Sequence, residues 1–268
     1  MGLISPAHNK PWLGVPINWG DPLARGLVGC WLMNEGTGDK VYDLSGNGKT
    51  GSFVGSTGFK SARFGSGVEF DGTDSVINLG TIHNFTTQPF TYSCWVNFDT
   101  LQAGTNPTIL WKGNWEDCGY YWCVNKVSNP TQALVFFTNN QLLTPKVVST
   151  ATASNIIQVG QWYFLVVTRD GTSVRLYVNG VDKTDTAGSH IDPGTASGKS
   201  LICGAYESTY SNIDGKFDHL MCYNRALSAT EVQQLYMAPF RMFERPSIEF
   251  YSVFAGAADL DIYAYDTE

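Results

Sequence analysis

The sequence predicts an all-β chain of many short strands, with one short helix near its C-terminal end. Three observations point there. Charged residues make up 15% of the 268 residues, well below the usual ~25%. Glycine numbers 28 and aromatics reach 13%, a balance that suits short strands joined by glycine turns and does not suit disorder. The run Asp214-Gly-Lys-Phe-Asp218-His-Leu-Met-Cys-Tyr-Asn-Arg-Ala-Leu-Ser228-Ala-Thr-Glu231 reads as a strand feeding a capped helix. Phe217, Leu220 and Cys222 are its apolar strand residues. Ser228 and Glu231 form the S-x-x-E capping box, and Val232 and Leu235 follow as a short apolar face.

Taken in order, residues 1–24 carry Pro6, Pro11, Pro16 and Pro22 with Trp12 and Trp19, which reads as an extended arm. Residues 25–237 form the domain. It opens on the buried-looking strand Leu27-Val-Gly-Cys-Trp-Leu-Met-Asn-Glu35 and the turn Asp43-Leu-Ser-Gly-Asn47-Gly-Lys-Thr-Gly51. Gly65-Ser-Gly-Val-Glu-Phe-Asp71-Gly and Val76-Ile-Asn-Leu-Gly80 come next. Leu134-Val-Phe-Phe-Thr138, Trp162-Tyr-Phe-Leu-Val-Val-Thr168 and Val174-Arg-Leu-Tyr-Val178 are the clearest strands. The last two read as a hairpin around Arg169-Asp-Gly-Thr172, and Asn179-Gly180 is a further turn. Residues 238–268 form a linker and docking tail. Pro239 to Pro246 is aromatic and proline-bounded, and Ile248, Phe250, Phe254, Leu260, Ile262 and Tyr263 give weak alternation. A tail of this size is too short to fold alone.

The order of these pieces (a D-x-S-G-N-G-x-x-G turn, F-D-G, Y-x-x-x-W-V, W-Y-F-x-V-V-T, V-x-L-Y-V-N-G, then F-D-x-x-x-x-Y-N-R-A-L-S-x-x-E) resembles the laminin-G-like domains of the concanavalin A-like lectin/glucanase superfamily, over residues 25–237. The resemblance implies a two-sheet antiparallel jelly-roll sandwich. The segments Asp21-Pro-Leu-Ala-Arg-Gly-Leu-Val28 and Leu235-Tyr-Met-Ala-Pro-Phe-Arg-Met-Phe243 resemble those of laminin-G-like proteins in tailed-phage and metagenomic viral sequences, where arms tie a domain to neighbouring subunits.

Composition narrows the partners. Net charge is −7 with a pI near 5.0 and no Lys or Arg run, so nucleic acid is a poor partner. No window approaches the length of an apolar membrane span, and no membrane partner is expected. The N-terminus lacks a secretory pattern, and Pro6 breaks a myristoylation motif. A virion component made in the host cytoplasm and released by lysis would need neither; otherwise an extracellular location is expected. Cys30, Cys94, Cys118, Cys123, Cys203 and Cys222 read as free, buried thiols, with Cys118–Cys123 the disulfide to consider. There is no C-x-x-C pair for a metal.

Three chemistries compete. Glucanases of the superfamily carry alternating carboxylates on one strand; here the nearest match is Glu69-Phe-Asp71-Gly-Thr-Asp74, where glycine interrupts the strand. The resemblance implies a structural Ca²⁺, with Asp43, Asn47, Asp71 and Asp218 at the matching positions; the same side chains serve equally as turn caps. A saccharide site needs an aromatic platform beside polar groups. Trp111, Asn114, Trp115, Asp117 and Tyr121 have that composition, and Tyr206 and Tyr210 supply an opposite wall. Alternation puts Tyr120 and Trp122 on one face and Tyr121 on the other. The expected function is a non-enzymatic phage virion surface or appendage protein that binds a glycan or host surface polysaccharide. It would contact other virion subunits through its arms and assemble as a homo-oligomer. The alternative is a free bacterial or environmental lectin module, and a glycanase ranks third.

Overall fold

The structure is a computed structural model that describes residues 10–101, 105–114, 117–125, 131–196, 198–206 and 211–243, with the backbone of 249–252 and 262–265. In chain order its strands are β1 (Leu27–Trp31), β2 (Lys40–Val41), β3 (Gly51–Val54), β4 (Gly58–Ala62), β5 (Gly65–Asp71), β6 (Val76–Asn78), β7 (Phe90–Thr100), β8 (Thr108–Asn114), β9 (Cys118–Asn125), β10 (Ala133–Asn140), β11 (Val147–Thr152), β12 (Trp162–Asp170), β13 (Ser173–Val178), β14 (Val181–Asp182), β15 (Thr184–Thr186), β16 (Leu201–Cys203) and β17 (Asp214–Tyr223). Helix α1 (Ala229–Met237) and strands β18 (Glu249–Ser252) and β19 (Ile262–Tyr265) follow.

An eight-stranded sheet runs β14-β13-β12-β7-β17-β5-β4, with β1 also pairing with β17, and a nine-stranded sheet runs β15-β11-β10-β9-β8-β16-β6-β3-β2. All pairings are antiparallel, as the jelly-roll resemblance implies. The tail strands β18 and β19 pair with each other, Glu249 opposite Tyr265.

Turn chemistry sets the hairpins. Gly171 and Thr172 link the paired residues Asp170 and Ser173, and Gly171 holds φ 58° at the first central position. Asn179 and Gly180, both at positive φ, join Val178 to Val181; two such residues in succession are what a two-residue I′ turn requires.

Alternation divides each sheet. Tyr92, Cys94, Val96 and Phe98 of β7 face Leu110 of β8, Tyr120 and Trp122 of β9 and Phe136 of β10 in the central core. The Tyr120 hydroxyl donates to the His83 carbonyl at 2.8 Å and pairs with the Tyr92 hydroxyl at 2.8 Å, so both buried phenols are satisfied. Phe217, Leu220 and Cys222 share this core although their spacing breaks period two. The cause is a bulge between Asp218 and Leu220, where His219 takes φ 36°. One extra residue resets the parity.

The outer face of the eight-stranded sheet is covered. Trp95, Phe164, Val166 and Tyr177 pack with Val232 and Leu235 of α1, Ile17 and Leu23 from the N-terminal segment, and Phe240 and Phe243 beyond the helix. The capping box forms as expected: Glu231 N donates to Ser228 Oγ at 3.3 Å and Ser228 N to Glu231 Oε2 at 2.9 Å. Residues 10–24 fold onto this face. Ile17 bridges Phe243, Asn18 N donates to the Met242 carbonyl at 2.8 Å, and Arg241 pairs with Asp21 at 3.1 Å. Residues 1–9 lie outside the described residues.

All six cysteines are free, five buried and Cys118 half-buried. A Cys118–Cys123 disulfide is sterically barred. Both lie on the single extended strand β9, where five residues at ~3.3 Å each far exceed the ~4.4–6.8 Å between bridged Cα atoms.

Candidate functional site

The outer face of the nine-stranded sheet carries a row of side chains in register. Ile202 of β16 lies opposite Trp111 of β8, Trp111 opposite Tyr121 of β9, and Tyr121 opposite Phe137 of β10. Period-two alternation produces the row: Tyr120, Trp122 and Phe136 point to the core, so Tyr121 and Phe137 point away. Ring geometry follows from the register. Tyr121 stacks on Phe137 with centroids 4.4 Å apart and planes 9° off parallel, and Trp111 lies 5.6 Å from Tyr121. Tyr206, just beyond β16, closes on Trp111 at 4.1 Å and meets Tyr121 edge-on at 6.2 Å.

Three of the residues expected to bind a ligand, Trp111, Tyr121 and Tyr206, are therefore brought together from three separated stretches of chain. Trp111 and Tyr121 are 2% and 8% exposed, whereas Tyr206 and Phe137 are half-buried and present accessible ring surface. Burial, then the neighbouring Cys123 and Tyr206, pushes the Tyr121 phenol up, so it stays a neutral hydroxyl. Asn114 and Asp117 sit on the β8–β9 turn and do not join the ring cluster; the Asn114 carbonyl accepts from Asp117 N at 3.1 Å and Asn139 Nδ2 at 3.2 Å. Trp115 and Tyr210 lie outside the described residues. Phe137 is not among the residues expected from the sequence, although its signal is present: two adjacent phenylalanines in a strand must face opposite sides.

The residues matched to a Ca²⁺ site hold turns and an ion pair. Asp43 Oδ1 accepts from the amides of Cys30 and Ser45 and Oδ2 from Lys49, which ties β1 to the turn. Asn47 Nδ2 donates to the Val28 carbonyl and Ser45 Oγ. Asp71 Oδ1 accepts from the amides of Thr73, Asp74 and Ser75. Burial works against the Asp71 carboxylate, yet these amides outweigh it and hold its pKa down to about 2. Asp218 lies beneath the N-terminal segment, where Lys10 Nζ reaches its Oδ1 at 2.6 Å and Phe64 N donates to Oδ2 at 2.7 Å. Burial would raise the Asp218 pKa, but hydrogen bonding from His219 and the Lys10 charge prevail and lower it. Among the described residues no group of three or more His, Cys, Asp or Glu is placed to hold a metal ion.

The carboxylates of the glucanase-like stretch are also committed to structure. Glu69 lies between Lys60 and Lys216 at 3.9 and 4.0 Å, and Asp74 Oδ1 accepts from Ser56 N at 2.9 Å.

Residues 71–233 match a family model described as the concanavalin A-like lectin/glucanases superfamily. No curated protein matches the sequence. Among solved structures, domain 4 of an extracellular GH43 arabinanase from Geobacillus stearothermophilus, in complex with arabinotriose, is similar with a TM-score of 0.59 and 20% identity. That match covers 78% of this chain and 98% of that one. The binding domain of Paraclostridial mosquitocidal protein 1 gives a TM-score of 0.65 at 16% identity, covering 90% of this chain and 64% of that one. A Trypanosoma rangeli sialidase in complex with the inhibitor DANA gives 0.57 at 15%, covering 81% of this chain and 33% of that one. At these identities the likeness is one of fold.

Proposed function

We propose that this chain, which belongs to the concanavalin A-like lectin/glucanases superfamily, is a non-enzymatic glycan-binding protein of a phage virion surface, acting in attachment or assembly. The observation that carries the glycan reading is the in-register row Trp111–Tyr121–Phe137 with Tyr206 folded against it. Sugar C–H faces stack on such rings, and the buried pair Trp111 and Tyr121 holds the two half-exposed rings in place. The arabinotriose bound to the similar arabinanase domain supports the ligand class. The non-enzymatic reading is supported by Glu69, Asp71 and Asp74, which are spent on ion pairs and turn amides.

The virion reading draws on the two ends of the chain and on the six free thiols, which suit folding in a reducing cytoplasm. The strand pair β18–β19 is separate from both large sheets, and an isolated two-stranded hairpin gains stability from a partner. Strand addition to a neighbouring subunit would supply one. A free lectin module is the second reading, favoured by the likeness to a domain of an extracellular arabinanase.

A glycan array on the purified chain tests the ligand class. Selective binding that Tyr206→Ala weakens supports the outer-face site; a folded protein that binds no glycan overturns it. Sedimentation of the full chain beside a 1–246 truncation tests assembly. A defined oligomer lost on truncation supports subunit contact through the tail, and a monomer in both favours the free module.

A further inference from the structure

At one rim of the sandwich, away from the aromatic row, a cleft of about 680 Å³ opens between the β10–β11 connection, the β12–β13 turn and residues 189–192. That volume is in the range of small-molecule sites. None of its lining residues belongs to the aromatic row. Arg169, at the end of β12, lines the cleft and is 1% exposed. Its Nε donates to the Gly171 carbonyl at 2.8 Å and its Nη2 to the Ile191 carbonyl at 2.9 Å. These two bonds fix the guanidinium fork between the turn and the loop. The third nitrogen, Nη1, is buried and has no acceptor among the described residues. A buried charged donor without an acceptor is costly, and native interiors rarely leave one so.

The surroundings define what could supply the acceptor. Asp192 also lines the cleft; its Oδ1 takes the Gly194 amide at 2.8 Å, and Oδ2 carries its remaining acceptor capacity. Thr172 adds a hydroxyl, while Pro145, Val148 and Ile191 supply apolar surface. His190 is not available to a ligand. Its ring nitrogens are engaged by Thr138 Oγ1 at 3.0 Å and Thr150 Oγ1 at 2.9 Å, which pins the loop from below. One fixed cationic donor and one anionic acceptor over an apolar wall match a neutral polyol. Adjacent hydroxyls of a sugar each donate and accept, and the ring's C–H face meets the wall. A carboxylate-bearing sugar would meet Asp192 as a like charge.

We propose that this cleft is a second saccharide site, which takes a neutral pyranose or furanose through neighbouring hydroxyls held by Arg169 and Asp192. The site is independent of the outer-face row, so either can stand without the other.

The test is an amide-resolved NMR titration of the full chain with methyl glycosides of glucose, galactose, mannose and arabinose, and with glucuronate as the acidic arm. Saturable shifts at Thr172, Ile191 and Asp192 with at least one neutral glycoside are expected, together with tenfold weaker binding in Asp192→Asn. Because Arg169→Ala removes a buried side chain and can fail to fold, Ile191→Trp serves as a second variant that fills the cleft while keeping the backbone carbonyl that anchors the fork; it should abolish the shifts. Tyr206→Ala should leave them unchanged, which separates this site from the outer-face row. No saturable shift with any neutral glycoside, tighter binding of glucuronate, or unaltered affinity in Asp192→Asn would overturn the proposal.

Discussion

On the outer face of the eight-stranded sheet, Trp95 and Phe164 lie under Tyr236 of α1 and the segments that flank the domain. On the outer face of the nine-stranded sheet, Trp111, Tyr121 and Phe137 form a row whose companions among the described residues come from that sheet's own strands or are Ala205 and Tyr206. Both faces carry aromatic side chains; the first is roofed by the chain, and among the described residues the second is sealed by its own side chains and Tyr206. Apolar surface that the chain covers adds to stability; half-covered rings are available to something else. The difference separates a face covered by its own chain from one on which Phe137 and Tyr206 stay half-exposed.

The largest expected effect lies on the roofed face. Lys10 and Asp218 form an ion pair with side chains 5% and 0% exposed. Asp218→Ala strands the Lys10 ammonium in the interior and should cost about 3–5 kcal/mol, read as a shift in the denaturant midpoint. A loss below about 1 kcal/mol, the level of a surface pair, would mean that residues 10–24 merely rest on the domain.

Acid should come next. Burial, followed by the nearby Arg169 charge, holds the His190 pKa down to about 3, and burial holds His83 at about 4. In the unfolded chain both return to about 6.5, so that state takes up protons first as pH falls. Stability is therefore complete above about pH 6.5 and drains away toward pH 3, by roughly 4–5 kcal/mol for His190. Melting temperature against pH should show this fall, and His190→Gln should make it shallower while the His83 contribution remains; a wild-type curve level from pH 7 to pH 4 contradicts the neutral, buried imidazoles.

A smaller and different effect belongs to the unroofed face. Phe137→Ala should weaken glycan binding about tenfold, close to 1.4 kcal/mol, while moving the denaturant midpoint far less than Asp218→Ala does. Equal losses of stability from the two variants would erase the distinction between the faces. Smallest of all is the response to Ca²⁺. With Asp43, Asp71 and Asp218 already bonded to amides and Lys10, chelator should leave the melting temperature unchanged. A clear fall, restored by Ca²⁺, would show that the turns bind the ion after all.

Local chemistry was legible without a structure. The capping box of Ser228 and Glu231, the turns at Gly171 and Asn179-Gly180, and the opposite facing of Tyr120 and Tyr121 each depend on a few neighbouring residues, whose backbone geometry propensity and period dictate. The order of those pieces was enough to resemble a jelly roll. What the fold alone decided involves partners far apart in the chain. That Tyr206 meets Trp111, that Phe137 completes the row, and that Asp218 receives Lys10 all follow from strand order and register. The bulge at His219 let Phe217, Leu220 and Cys222 share one face. Asp43, Asn47, Asp71 and Asp218 read alike as metal ligands or turn caps because a carboxylate or amide side chain serves either use. Only the tertiary structure shows the amides that reach Asp43, Asp71 and Asp218, the Lys10 ammonium on Asp218, and the carbonyl that takes the Asn47 amide.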